Sequence, residues 1–336
     1  MNKKILNTLI ITFFSLLLLE ITIAASLNFP SLWNLAGNKF IPQKIARSER
    51  KLIQYMPECA KYDSELTYVF KSGTCQFDGR EFNTSINFDK DGHRSIFSSN
   101  KRKCSIIFIG DSHTLGWGVE DHENFPFLVS KKLNCSGKNL GVSSYGTVRE
   151  VQSLAKQDIK KVDFLILQYS DNDLKENKHF FENNNLNIMS ENEYNNLVYE
   201  HASQRAYYPF KYSYILFSGV TKNLTKRIKR TKANREKILH EEVDYFINAL
   251  SHVKIDNKPI LLILEINGTN RNDKSFISLA QRKISDKIAR LFSDIRFLDV
   301  SEFLKEEHYF VLDDHMNKDG HKIVSDMISD NLKKKL

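Results

Sequence analysis

From residue 104 to the carboxyl terminus, short uninterrupted apolar runs alternate with stretches whose apolar residues return every three or four positions. The runs lie at 104–109, 138–142, 162–168, 259–265 and 295–299. Runs of this length, rich in branched residues and bounded by glycine or polar positions, suit strands covered on both faces of a parallel sheet. Between them, Leu239, Val243, Phe246 and Leu250 form one helical stripe, as do Ile277, Ile284, Ile288 and Leu291. A last helix is expected from about Lys318 to Lys333. Alternating strands and amphipathic helices predict an α/β domain with a mainly parallel sheet over 101–336.

Two regions break the rhythm. Residues 27–100 are mixed polar and aromatic without helical period, and read as a spacer followed by a small subdomain. Residues 174–234 follow a core strand and carry an Asn-rich stretch (Asn183 to Asn185), an aromatic cluster (Tyr207, Tyr208, Phe210, Tyr212, Tyr214) and a basic run. That run comprises Lys222, Lys226, Arg227, Lys229, Arg230, Lys232 and Arg235. An insertion of this length is either a lid or substrate wall, or a solvated helical excursion.

The amino terminus has a pattern of its own. Lys3 and Lys4 precede a largely apolar stretch to Ala25, ending in Ala24-Ala25-Ser26. About 20 apolar residues suffice to cross a bilayer, so residues 1–26 are either a membrane anchor or a cleaved signal peptide. In either case the α/β domain is expected outside the cytoplasm, anchored or released. Glu20 is the one acid in the stretch and lies toward its far end.

Four cysteines, Cys59, Cys75, Cys104 and Cys135, fit an oxidising compartment, although four allow three pairings and unpaired thiols remain the simpler state. Cys104 opens the first core strand and Cys135 lies just before the second. Neighbouring parallel strands would bring both to one end of the sheet, leaving Cys59 to pair with Cys75. The charge balance adds little: 49 Lys and Arg against 41 Asp and Glu leave a formal excess of 8, which favours anionic surfaces. No zinc-finger spacing or aromatic RNA-binding pattern accompanies it, so nucleic acid is not expected as a partner.

Candidate chemistry gathers at strand ends, where open α/β sheets bind ligands. The first run stops at Gly110-Asp111-Ser112. On that tripeptide alone the serine is a helix N-cap; as a nucleophile it needs a base, an acid that orients the base, and donors for an oxyanion. His315 follows the last strand and is flanked by Asp313 and Asp314, either of which could fix its tautomer. Asp313 is the choice and Asp314 the fallback. His321 is expected to be structural, and His113 to shape the pocket rim. Gly141 after the second strand could aim a backbone amide at a ligand, and Asn172 after the third could offer its side-chain amide; the bland alternatives are a strand-to-helix turn and an Asx turn.

These segments, in this order, resemble the SGNH (GDSL-type) hydrolase family over residues 104–336. Gly110-Asp111-Ser112 is similar to the family's first block, Gly141 to the second, and Asn172 to the third, although the usual Gly-x-Asn-Asp stands here as Ser170-Asp171-Asn172-Asp173. Asp313-Asp314-His315 is similar to the last block, with Leu312 where the acid commonly stands. The resemblance implies a three-layer α/β/α sandwich around a five-stranded sheet and ester hydrolysis without metal or nucleotide cofactors. It also implies Ser112, His315 and Asp313 as catalytic residues, with Ser112, Gly141 and Asn172 forming the oxyanion hole. The expected activity is a serine esterase acting on an acylated small molecule, glycan or lipid of the cell envelope, an O-acetyl ester being one possibility. An O-acyltransferase using the same residues, and a silent glycan-binding or envelope-assembly module, are the alternatives.

Overall fold

In the computed structural model, residues 3–35, 40–97, 102–157, 162–226, 232–255, 257–269 and 274–333 are described. The chain opens with helix α1 (Lys3–Ser26), followed by α2 (Pro30–Leu35) and α3 (Phe40–Arg47). Helix α1 is long and apolar enough to cross a membrane by length and composition. Two antiparallel hairpins come next: β1 (Ala60–Asp63) with β2 (Thr67–Phe70), and β3 (Gly73–Asp78) with β4 (Asn83–Phe88). The Cys59–Cys75 disulfide ties the two together. Their buried side chains, among them Phe70, Phe77 and Phe88, pack with Leu115, Trp117 and Tyr145 of the following domain.

That domain is built on β5 (Cys104–Ile109), β6 (Cys135–Asn139), β7 (Phe164–Tyr169), β8 (Ile260–Glu265) and β9 (Asp294–Leu298). They form one parallel sheet in the order β6-β5-β7-β8-β9. Side chains alternate across it. Ile107, Leu165, Leu167, Leu261 and Ile263 face α6 (Thr147–Ala155), α10 (Lys232–Leu250), α11 (Ser275–Lys283) and α12 (Asp286–Ala289). Ile106, Phe108, Ile166, Leu262 and Leu264 face α5 (Phe125–Leu133) and α13 (Lys318–Lys333). The architecture is therefore an α/β domain on a parallel sheet, as the pattern predicts, arranged as the three-layer α/β/α sandwich that the resemblance implies. Strand and crossover helix alternate because each central strand has two apolar faces to cover.

Two details differ from the sequence reading. The second strand starts at Cys135, not 138, because β6 is an edge strand whose middle residues Ser136, Gly137 and Lys138 are only partly buried. Its register is set instead by pairing with β5, where Cys104 faces Cys135 and the two form the second disulfide. The stripe Ile277 to Leu291 belongs to two helices: Ser285 caps the second, its Oγ accepting from the Ile288 amide, and the chain turns at Ile284.

Residues 174–234 supply α7 (Leu174–Asn183), α8 (Glu191–Gln204), α9 (Lys211–Lys226) and the start of α10. Helix α8 seats Tyr194 on the hairpins, its hydroxyl donating to Gln54 O at 2.8 Å. Helix α9 lies against α1 and α3. The side chains of the basic run lie outside the described residues.

Candidate active site

Strand β5 runs into Gly110, which no side chain could replace: a Cβ there would overlap Thr114 Oγ1 and Gln168 Oε1. The chain then enters a single helical turn, α4 (Ser112–Leu115). Asp111 is its N-cap, its Oδ1 accepting from the His113 amide at 2.9 Å. The capping role weighed for Ser112 thus falls to its neighbour, and the serine hydroxyl is left for other work. Gly116 ends the turn in the left-handed conformation, with φ +88°. The segment after it is pinned by Arg94, fully buried, whose guanidinium donates to the carbonyls of Leu115, Gly116 and Val119 and pairs with Asp121 at 2.8 Å.

The loop between β9 and α13 brings His315 to this turn from 203 residues away. His315 Nε2 lies 2.7 Å from Ser112 Oγ, and Nδ1 lies 2.5 Å from Asp313 Oδ1. Asp314 Oδ1 is 3.8 Å from the same nitrogen. The structure therefore brings Ser112, His315 and Asp313 into one line, with Asp314 outside it. Trp117 covers the arrangement: its ring stacks on His315, with centroids 4.5 Å apart, and its Nε1 donates to Asp313 Oδ2 at 3.2 Å.

Three residues that the sequence did not single out hold the acid loop. Arg50 Nε lies 3.1 Å from Asp313 Oδ2 and its Nη2 2.7 Å from Asp314 Oδ1, so one guanidinium bridges both carboxylates. Arg47 pairs with Asp314 at 2.9 Å. From the other side Glu81, in the turn between β3 and β4, accepts from the amides of Val311, Leu312 and Asp313. Burial works to raise the Asp313 carboxyl, but the charges of His315 and Arg50 outweigh it and hold the group below the ordinary carboxylate range. Burial likewise opposes ionisation of Asp314, and His315, Arg50 and Arg47 overcome it. No local pattern marks Arg50 or Glu81; each meets Asp313 across more than 200 residues.

The candidate oxyanion donors are placed less completely. Gly141 lies against α4, where a Cβ would collide with the Leu115 amide nitrogen, and its own amide donates to Asn139 Oδ1 at 3.0 Å. Asn172 is solvent-exposed, and its Nδ2 donates to Asp111 Oδ2 at 3.0 Å, one residue from the serine. Both stand near Ser112, and both amides are engaged within the protein.

The other histidines separate cleanly. His321, in α13, is buried against Phe125, whose amide donates to its Nδ1 at 3.3 Å; burial first, then the nearby His113 and Arg94 charges, push it well below the ordinary imidazole range. It is structural, as expected. His113 is buried rather than at a rim, its ring 5.0 Å from that of His315.

A cavity of about 250 Å³ lies behind Asp313, lined by Arg50, Lys51, Asp78, Arg80, Glu81 and Phe82. It borders the acid rather than the serine. Asp313, Asp314 and His315 also bring their ligand atoms within 4.8 Å, a spacing that could hold a cation. Two guanidiniums already neutralise those carboxylates, so the donor set fits a triad better than a metal.

No family model matches the chain, and no curated protein matches it. Solved structures do. A carbohydrate esterase family 2 enzyme with its carbohydrate binding domain from Corynascus thermopiles (Myceliophthora fergusii) is 12% identical, covering 73% of this chain and 69% of its own at a TM-score of 0.39. A carbohydrate esterase family 3 from Talaromyces cellulolyticus is 12% identical over 69% of this chain and 97% of its own, with a TM-score of 0.36. A member of the lipolytic protein G-D-S-L family from Veillonella parvula is 12% identical over 69% and 99%, with a TM-score of 0.32. At that level of likeness, the chemistry assigned to the site rests on its own geometry.

Proposed function

We propose that the protein is a membrane-anchored serine esterase working outside the cytoplasm on an acyl ester of the cell envelope. The observation that carries this reading is the continuous hydrogen-bonded line from Ser112 Oγ through His315 to Asp313 Oδ1, with links of 2.7 and 2.5 Å. His315 takes the hydroxyl proton as Ser112 attacks the ester carbonyl, and Asp313, kept ionised by Arg50, stabilises the imidazolium. The imidazolium then returns the proton to the leaving alcohol. Water, deprotonated by His315, cleaves the acyl-enzyme.

In this reading the Ser112 amide, the Gly141 amide and the Asn172 side chain receive the oxyanion. Asn172 must turn from Asp111 and the Gly141 amide must leave Asn139 Oδ1 to do so; the exposed position of Asn172 allows the first, and apo hydrogen bonds commonly rearrange in the complex. Two disulfides suit an oxidising compartment, and α1 supplies the anchor. A site held at the outer face of the membrane makes acetylated glycans of the envelope the first substrates to try.

The test is hydrolysis of a small aryl acetate by the full chain in detergent, with and without Ser112→Ala. Loss of turnover in the variant supports the reading, and equal rates would sink it. Following acetyl release against acetyl transfer to an added sugar then separates hydrolase from transferase.

A further inference from the structure

Helix α1 carries a row of exposed apolar side chains, including Ile5, Leu9, Phe14, Leu18 and Ile21, yet its Glu20 is only 3% exposed. Glu20 is buried by the start of α9. Its Oε1 accepts from the Tyr212 amide at 3.0 Å, and its Oε2 from the Ser213 amide and hydroxyl, both at 2.8 Å. The Tyr207 hydroxyl adds a fourth bond at 3.3 Å. Just outside this seat, Tyr207, Tyr208 and Tyr214 are 58, 47 and 65% exposed.

We propose that residues 207–214 form a second membrane contact, an interfacial surface for a phospholipid bilayer that is continuous with α1 and keyed to it by Glu20. This rests on the anchor reading of α1. A carboxylate inside an apolar span is costly, most at the bilayer centre and less toward its edge. The first amides of a helix equally lack intrahelical partners. Here each defect satisfies the other: the anchor's acid caps α9, so a helix start can lie at membrane depth without bare donors.

The depth agrees. Glu20 stands six residues before the end of α1 at Ser26, about 9 Å along the axis, and interfacial elements lie about 5–10 Å into the headgroup boundary. Phe210 reaches further along the anchor, meeting Phe13 edge-on with centroids 5.8 Å apart. Lys211, buried at 2% exposure, removes the other polar liability by donating to the carbonyls of Gln204, Arg205 and Ala206 at the end of α8. Tyrosines crowding such a boundary match the aromatic belts of membrane proteins. The surface bears on the site as well, since Leu312 shares an apolar cluster with Ile23 of the anchor, Leu27 just after it and Tyr212 of α9, and Asp313 follows it.

All four cysteines are in disulfides, so a single added cysteine is a unique label. The full chain, reconstituted in phosphatidylcholine and phosphatidylglycerol vesicles, is labelled with a fluorophore at Leu9→Cys, Tyr208→Cys, Tyr214→Cys or Tyr199→Cys, and quenched by a spin label on the lipid chains. Tyr199, on α8, is the solvent reference. Strong quenching at 9, 208 and 214 with little at 199 is expected. Quenching at 9 while 208 and 214 match 199 would overturn this inference and leave the anchor standing. No quenching at 9 would overturn both. Glu20→Leu in the Tyr214→Cys background should cut quenching at 214 several-fold, whereas the Leu9 probe is unaffected by that change; undiminished quenching at 214 would refute the keying role of Glu20.

Discussion

Arg50 Nε stands 3.1 Å from Asp313 Oδ2, on the opposite side of the carboxylate from His315. The residue that orients the histidine is thus held by a cation from the segment linking the amino-terminal helices to the first hairpin. The contact is an ion pair, and an opposite charge at this distance favours the ionised carboxylate by about one to two pKa units, or about 1.5–3 kcal/mol. If that support is felt in the transition state, Arg50→Met should lower kcat by roughly 10- to 150-fold, with little change in KM for a small ester. Arg50→Lys should recover only part, because an ammonium cannot span Asp313 and Asp314 together. Steady-state kinetics on the two variants check this, and wild-type kcat in Arg50→Met would remove Arg50 from the mechanism.

The two carboxylates beside His315 should separate in the same assay. Asp313 Oδ1 is 2.5 Å from Nδ1, whereas Asp314 Oδ1 is 3.8 Å away and is occupied by Arg50, with Arg47 on Asp314 Oδ2. Asp313→Asn presents an amide to the imidazole and should cost about 10⁴-fold in kcat through the wrong tautomer. Asp314→Asn should act mainly on stability, by loosening the Arg47 contact. The reverse ranking would move the acid to Asp314.

Asn172→Ala tests the oxyanion assignment. Loss of one such donor costs about 10²–10³-fold in kcat, or about 2.7–4 kcal/mol. An unchanged rate would leave Asn172 as a partner of Asp111 alone.

How far the fold could be read depended on how local its causes are. The central strands β5, β7 and β8 announce themselves because both faces are buried, and Ile106 and Ile107 must both be apolar to serve opposite layers. Edge strand β6 escapes the same reading at its start, since Ser136, Gly137 and Lys138 face solvent in part and are ordered by pairing with β5. The disulfide between Cys104 and Cys135 was legible for the complementary reason: parallel neighbours align their starts. Ser112 follows β5 directly, and Asp313 and His315 lie on the loop between β9 and α13, positions that the chain order exposes. Arg50, Glu81 and Trp117 act across packing between hairpins, linker and sheet, and no periodicity encodes that packing.

The Cys59–Cys75 bond should matter to stability more than to chemistry. It closes a loop of sequence separation 16 and ties the hairpins that carry Glu81. A loop of that size is worth about 3 kcal/mol in the chain-entropy model. Cys59→Ala with Cys75→Ala should therefore lower the unfolding midpoint clearly, with kcat retained at temperatures where the fold persists. A midpoint unchanged from wild type would show that packing with Trp117 and Tyr145 suffices.

Glu150 gives the molecule a pH dependence whose sign can be worked out. It lies in α6 at 1% exposure, and neither carboxylate oxygen has a hydrogen-bond partner among the described residues. Burial, then the charges of Asp173, Asp111 and Glu176, raise its pKa well above the ordinary value. In the unfolded chain it ionises near 4.5. Between that pH and the higher folded value the native state binds more protons, so stability falls as pH rises, by about 1.4 kcal/mol for each unit of separation. Glu150→Gln keeps the shape and removes the titration. Thermal melts from pH 5 to 8 should show the variant gaining on wild type as pH increases. Parallel curves would mean that Glu150 is ionised and solvated in the native protein, and that the acids behind the serine loop are not electrostatically strained.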